Sequence, residues 1–301
     1  MQENFGSLVM APMAGYTDSP FRQVLRNYTK NLLFTEMVSA EGLVRKNKKS
    51  KDLLRFASQE RPLGVQIFGS DPDILAEAAV IVEAQGIDLV DLNLGCPATK
   101  VCQNGAGATL LPEVDKINLI AKTMARKIKI PFSAKIRLGW NNEQKNYLEV
   151  VKALIDGGVN LITVHGRTKV QGYQGEADWE AIKEVQKISS VPVIGNGNIF
   201  SYQDYIQRLE ESGCAAIMVA RGAIGNPWIF SNKKPKLAEI QNQILEHLDL
   251  MLDHYGQVGL ILMRKHLAKY IHNFKNASKV RVKILSAQTK KEVGEILKEL
   301  E

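Results

Sequence analysis

Cysteine is scarce. The 301 residues hold three, Cys96, Cys102 and Cys214. An odd and sparse set excludes a disulfide-stapled framework and fits a reducing, cytoplasmic setting. Long hydrophobic runs are also missing: no stretch of about 18 uninterrupted apolar residues occurs, so no membrane span is expected. Met1 to Ser7 is short and polar and leads straight into an apolar run, unlike a secretory signal. Acidic residues are outnumbered, 32 against 39 Lys and Arg, for a formal charge of +7. Hydrophobic residues at 45% and charged residues at 24% argue against disorder and coiled coil, and are ordinary for a globular enzyme. The length suits one large domain or two unequal ones.

What is present is a repeat. Eight short runs rich in Val, Ile, Leu and Ala read as buried parallel strands: Leu8–Met13, Leu32–Met37, Leu63–Phe68, Leu89–Asn93, Phe132–Arg137, Leu161–His165, Val191–Asn196 and Ala216–Ala220. Helical periodicity fills most of the gaps. Asp71-Pro72-Asp73 is an N-cap with Pro at the first helical position, continued by Ile74 to Gln85. Pro112 to Ile128, Glu143 to Asp156, Asp178 to Ile188 and Tyr202 to Glu211 are similar, and Gly86, Gly157-Gly158 and Gly213 stand where helices should stop. Eight strand–helix units in this length are the arithmetic of a (β/α)8 TIM barrel in the α/β class. The unusual polar residues stand at the C-terminal ends of the runs, and only a closed barrel gathers eight such ends at one mouth.

After Pro227-Trp228-Ile229-Phe230 no strand-like run recurs. Leu237–Tyr255, Val258–Phe274, Ser278–Leu285 and Lys290–Leu300 read as helices. The expected division is a barrel over 1–234 and a smaller all-α domain over 235–301. Charge follows it: from Ser231 onward 13 basic residues face 8 acidic ones, and Arg264 to Lys291 contains no Asp or Glu. With Arg45-Lys46-Asn47-Lys48-Lys49-Ser50-Lys51, this is either a solvated face or a surface for a polyanion backbone.

Several residues carry chemistry. Gly195-Asn196-Gly197-Asn198 and Ala220-Arg221-Gly222-Ala223-Ile224-Gly225 end strands seven and eight, where barrels often build a phosphate site. Lys135 suits a Schiff-base nucleophile or a fixed cation beside a flavin. Gln66 and Asn93 are amides able to read a pyrimidine-like edge, and His165 adds an imidazole. Cys96, between Gly95 and Pro97, is a candidate nucleophile, metal ligand or general acid. No Cys/His ligand set accompanies it, so no metal is expected.

Taken in order, Met10-Ala11-Pro12-Met13-Ala14-Gly15-Tyr16-Thr17-Asp18, Asn93-Leu94-Gly95-Cys96-Pro97 with Gly105-Ala106-Gly107-Ala108, Lys135-Ile136-Arg137, Val164-His165-Gly166-Arg167-Thr168 and Ala220 to Trp228 resemble the dihydrouridine synthases. These are flavin enzymes that reduce uridine in transfer RNA. The likeness is to bacterial members with a helical tRNA-binding module. It implies non-covalent FMN, NADPH or NADH as reductant, tRNA as partner and no membrane; a cytoplasmic monomer is expected. It implies that Pro12, Met13 and Ala14 line the flavin, that Gln66, Lys135 and His165 contact its rings, and that Asn196, Gly197, Asn198, Ala220, Arg221 and Gly222 hold its phosphate end. Cys96 would be the proton donor. Asn93, Arg137 and Arg167 would lie on the substrate side, and Arg264, Lys265, His266 and Tyr270 on an RNA-facing helix. One departure is Asn198, where the family has Asp, which would remove a negative charge near the cofactor.

Three rival readings share these residues. A dihydroorotate-type FMN dehydrogenase has a similar barrel and Asn…Cys-Pro segment but no need of an acid-free basic stretch. A non-catalytic RNA-binding barrel leaves the polar strand ends unexplained. A Lys135 aldolase would be trapped by borohydride.

Overall fold

The structure is a computed structural model describing residues 5–272 and 274–301. All strand pairing within the sheet is parallel. The strands are β1 (Leu8–Met10), β2 (Leu33–Phe34), β3 (Val38–Ser39), β4 (Leu63–Phe68), β5 (Leu89–Leu94), β6 (Phe132–Arg137), β7 (Leu161–His165), β8 (Val193–Asn196) and β9 (Ala216–Val219). They run in the order β1-β9-β8-β7-β6-β5-β4-β2, with β3 also on β4. The Met10 amide donates to the Leu32 carbonyl at 3.2 Å and closes the ring. The expected second strand, Leu32–Met37, is thus two short pieces, β2 and β3, on one neighbour. Between them Thr35 turns its hydroxyl onto the Glu36 carbonyl, and Glu36 reaches across to accept from the Gly15 amide. Eight strand positions remain, as the TIM barrel requires. β1 ends at Met10, short of the expected Met13, and Pro12 has no N–H with which to extend a ladder.

The helices around and beyond the barrel are α1 (Ser19–Arg26), α2 (Ala40–Val44), α3 (Lys48–Asp52), α4 (Pro72–Glu83), α5 (Thr99–Cys102), α6 (Val114–Ala125), α7 (Tyr147–Asp156), α8 (Trp179–Ile188), α9 (Tyr202–Ser212), α10 (Leu237–Tyr255), α11 (Val258–Tyr270), α12 (Ala277–Ser286) and α13 (Lys290–Leu297). Asp71 caps α4 by accepting from Asp73 and Ile74, with Pro72 in the first turn. Gly213 ends α9 in the left-handed region, as expected of a helix-stopping glycine. Gly157 does not act that way. Its φ is right-handed at −78°, and an added Cβ would stand 2.3 Å from that of Ala121, so it serves helix packing.

Strand alternation divides the barrel into two cores. Val65, Ile67, Val90, Leu92, Ala134, Ile136, Ile162 and Val164 point outward into the large core beneath the helices. Val9, Phe34, Leu89, Leu161, Ile194, Ala216 and Met218 fill the barrel interior. On β5 the inward series is therefore Leu89, Asp91, Asn93: apolar at depth, polar toward the mouth. The same rule turns Gln66, Ser133, Lys135, Thr163, His165 and Asn196 inward.

The C-terminal helices have their own core, built on Trp228, Ile244, Leu248, Met251, Met263, Leu267, Tyr270 and Val280. Trp228 belongs to it, whereas Ile229 and Phe230 belong to the barrel core. α10 docks on α1: the Tyr28 hydroxyl donates to Gln243 at 2.6 Å and Asn27 donates to Glu246 at 2.8 Å.

Candidate active site at the barrel mouth

The strand ends surround a cavity of about 660 Å³, a size ordinary for a cofactor site. Pro12, Met13, Ala14, Gln66, Asn93, Cys96, Lys135, Arg137, His165, Arg167, Asn196, Gly197, Asn198, Ala220 and Arg221 all line it. Of the residues expected to hold the flavin, Gly222 alone does not. It stands behind the lining, where an added Cβ would lie 2.2 Å from the Ile199 carbonyl oxygen, so only glycine lets the loop after β9 press on the loop after β8. Gly197 is equally tight: its φ is +145°, and a Cβ would meet that of Ala177 at 2.4 Å.

A hydrogen-bond chain organises one side. The Ser133 hydroxyl donates to Asp91 at 2.5 Å, and Gln66 Nε2 donates to the other Asp91 oxygen at 2.7 Å. Asn93 Nδ2 donates to Gln66 Oε1 at 2.7 Å, while Asn93 Oδ1 accepts from the amides of Gly95 and Cys96 at 3.1 and 2.9 Å. Burial pushes Asp91 up to about 6, against the hydrogen bonds and the Lys135 charge. Lys135 donates to Asn196 Oδ1 at 3.1 Å and is held down to about 8, first by burial and then by Arg137. Burial likewise pushes the Cys96 thiol up, the Ala98 amide opposing. A raised thiol stays protonated at neutral pH, as a general acid must.

His165 is neutral. Burial holds its pKa well below the ordinary value, and Lys135, Arg137, Arg167 and Arg221 reinforce the effect. Arg167 Nη1 lies 3.1 Å from His165 Nε2, and a guanidinium can only donate, so Nε2 accepts and the ring proton sits on Nδ1.

Profile comparison matches residues 9–301 to the family described as "Dihydrouridine synthase (Dus)". The chain belongs to the dihydrouridine synthase family. It is 35% identical to "Probable tRNA-dihydrouridine synthase 1" of Synechocystis sp., covering 96% of this chain and 85% of that one. It is 37% identical to "tRNA-dihydrouridine synthase B" of Pasteurella multocida, covering 88% and 83%. Among solved structures, histamine dehydrogenase from Rhizobium sp. 4-9 superposes with a TM-score of 0.55 at 14% identity, over 81% of this chain and 49% of that one. That likeness is of fold, and this chain spans about half the length of that protein.

For this dihydrouridine synthase the structure redraws several expected contacts. The side-chain oxygens of Asn196 and Asn198 are engaged within the protein. Asn196 Oδ1 accepts from Lys135 and its Nδ2 donates to the Met218 carbonyl. Asn198, at φ +54°, accepts from Arg167 at 2.5 Å and from the Ala177 amide at 3.0 Å. The lost acidic charge therefore falls beside Arg167. Arg137 and Arg167 are buried, and their donors serve carbonyls of Gly95, Thr168, Gly172, Gln174 and Gly175, so they shape the wall more than they reach into it.

The tail is corrected too. His266 and Tyr270 are 0% and 3% exposed and cannot face RNA. They share the buried side of α11 with Met263 and Leu267, a helical spacing already visible in the sequence. Arg264 and Lys265 are half-buried and Lys269 is exposed. Lys265 lies over the Tyr16 ring at 5.4 Å, and Lys269 lines the cavity. The basic run is not free of acids in space: Lys283 pairs with Glu299 and Lys290 with Asp249. Sequence reading also passed over Tyr16, Tyr173 and Phe200 on the rim, and Asp91 beneath it. The signal for Asp91 is a carboxylate inside an apolar strand, two residues before Asn93 and hence on the same face.

Metal ligands were not expected, yet Asp18, His247 and His266 bring ligand atoms within 4.8 Å of one another. They come from the N-cap of α1 and from α10 and α11, which is why no local spacing announced them. Phe21 packs on both imidazoles, and burial keeps both neutral, with the Lys265 charge contributing.

Proposed function

We propose that this protein is a tRNA-dihydrouridine synthase that binds FMN in the mouth cavity and saturates the C5–C6 bond of uridine, with NADPH or NADH as reductant. The carrying observation is the thiol of Cys96 in one cavity with Lys135, beside cations of the helical domain. The residues fit a flavin phosphate. Pro12, Met13 and Ala14 offer an apolar wall, Lys135 a cation, and the glycine-tight loops after β8 and β9 a close backbone approach. Arg221 is exposed and has no carboxylate partner among the described residues, leaving it for a phosphate. It lies over Tyr173 and Phe200 at 5.2 and 5.4 Å.

When bound, FMN would supply the hydride that uracil C6 needs. Cys96 gives its proton to C5, so that hydride and proton together saturate the bond. Neutral His165 and cationic Lys135 would hold the flavin's ring system, Lys135 as the fixed cation beside it. A uridine in folded RNA must leave its stack to enter, at a cost of a few kcal/mol, and phosphate contacts by Lys265, Lys269 and the 45–51 cluster offset it. The domain division near residue 235 belongs to the same reading: barrel for chemistry, helices for tRNA.

The test supplies purified protein with FMN, NADPH and unmodified tRNA, and measures dihydrouridine in nucleoside digests. Dihydrouridine formed only in the complete mixture supports the reading. Reduction of free pyrimidine acids with no effect on tRNA would overturn it in favour of a small-molecule dehydrogenase.

A further inference from the structure

We infer that Asp91 is a positioning residue for the reaction, fixing the donor–acceptor sense of the Gln66–Asn93 pair and through it the loop that carries Cys96. The inference rests on the reading of Cys96 as the proton donor, but its structural content stands apart from catalysis. Asp91 is 1% exposed, in mid-strand inside the barrel. Nothing about folding a parallel strand requires a carboxylate there, and burying one is costly unless it is fully hydrogen-bonded. Both its oxygens are engaged, by Ser133 and by Gln66.

The consequence follows from donor counting. A side-chain amide has two ends of similar shape, one donating and one accepting. Two amides in series can therefore run in either sense. An ionised carboxylate only accepts. It selects the sense in which Gln66 points its nitrogen down to Asp91 and its oxygen up to Asn93. Asn93 must then donate to Gln66, which leaves its oxygen for the Gly95 and Cys96 amides. In the opposite sense Asn93 would present an NH2 group to two backbone N–H groups. No bond would form, and those half-buried amides would lose their partner. The Gly95 carbonyl is separately held by Arg137 at 2.8 Å and the Cys96 carbonyl by the Ala108 amide at 3.1 Å, so the Asn93 oxygen is what holds the two amides of the turn before the thiol.

Two substitutions separate this role from a plain charge effect. Asp91→Asn can keep an oxygen for Gln66 Nε2 with its NH2 turned to the Ser133 hydroxyl, which can accept, and the Gly95 and Cys96 amides at the far end of the chain favour that sense. Asp91→Leu offers Gln66 nothing. With FMN-loaded enzyme, Asp91→Leu should lower kcat for tRNA reduction about tenfold or more with KM for tRNA little changed. It should also speed hydrogen exchange in the peptide holding Gly95 and Cys96, and raise the Cys96 alkylation rate by iodoacetamide about fivefold. Asp91→Asn should stay within about threefold of wild type in each measure. If Asp91→Leu fails to fold, Gln66→Leu cuts the same chain one link higher and should release the same amides. Wild-type exchange and alkylation in whichever of these variants folds would overturn the inference, as would an Asp91→Asn variant as impaired as Asp91→Leu. A wild-type protein inactive on tRNA, with loop amides still freed by Asp91→Leu, would remove the functional reading and leave the positioning role of Asp91 intact.

Discussion

Lowering the pH from 7 to 5 should weaken the fold, and replacing His247 by Gln should remove a definite share of that loss. His247 is fully buried on α10, stacked on Phe21 at 5.7 Å, with Nδ1 3.3 Å from the Tyr270 hydroxyl. Burial, with the Lys265 charge second, holds its pKa down to about 3, against about 6.5 in an unfolded chain. Between those values the unfolded state binds a proton that the folded state refuses. Stability is therefore present above about 6.5 and drains as pH falls toward 3. At about 1.4 kcal/mol per proton per pH unit, His247 alone removes about 2 kcal/mol between pH 7 and pH 5. His165 and His266 act in the same direction. Asp18 and Asp91, pushed up to about 6, act oppositely, because their folded forms take up protons first. Comparing wild type with His247→Gln cancels these shared contributions. The variant will be less stable at pH 7, and its deficit should shrink by about 2 kcal/mol at pH 5. Urea unfolding at both pH values, followed by tryptophan fluorescence with equal m-values, measures this. A deficit unchanged between the two pH values would refute the claim that His247 is kept neutral by burial between α1 and the C-terminal helices.

Cys96→Ala should retain FMN and tRNA binding while dihydrouridine formation falls by about 100-fold or more, as read by nucleoside digestion. Replacing Lys265 and Lys269 by Gln should weaken tRNA binding and reduce the steepness of its salt dependence by about one per lost phosphate contact, measured by filter binding over a salt series. Lys135, lowered to about 8, loses its charge as pH rises through that value. FMN affinity followed by fluorescence quenching should weaken between pH 7 and 9 in wild type, and much less in Lys135→Arg. Gly222→Ala drives a Cβ against the Ile199 carbonyl oxygen and should cost both FMN retention and thermal stability, seen as a lower flavin-to-protein ratio and melting temperature.

Much of the site was legible because strands and turns are written locally. An apolar run marks a buried parallel strand, and its period of two decides which residues look inward. Once eight runs are counted, Gln66, Asn93, Lys135, His165 and Asn196 must meet at one end. Cys96 follows from the Gly-Cys-Pro break after Asn93. The resemblance places His266 and Tyr270 on an RNA-facing helix, whereas the apolar spacing of α11 puts both inside with Met263 and Leu267.

The sequence by itself determined the closed ring of strands, the polar mouth and the change to helices after Phe230, since each depends on periodicity or on glycine and proline within a few residues. Only the tertiary structure decided who partners whom. Asn196 turned to Lys135, Asn198 to Arg167, Lys283 to Glu299, and Asp91 received Ser133 and Gln66 from the strands on either side. Asp18, His247 and His266 met across more than two hundred residues of chain. Such pairings are set by strand register and by how the C-terminal helices seat on the barrel, and the order of residues along a single segment carries neither.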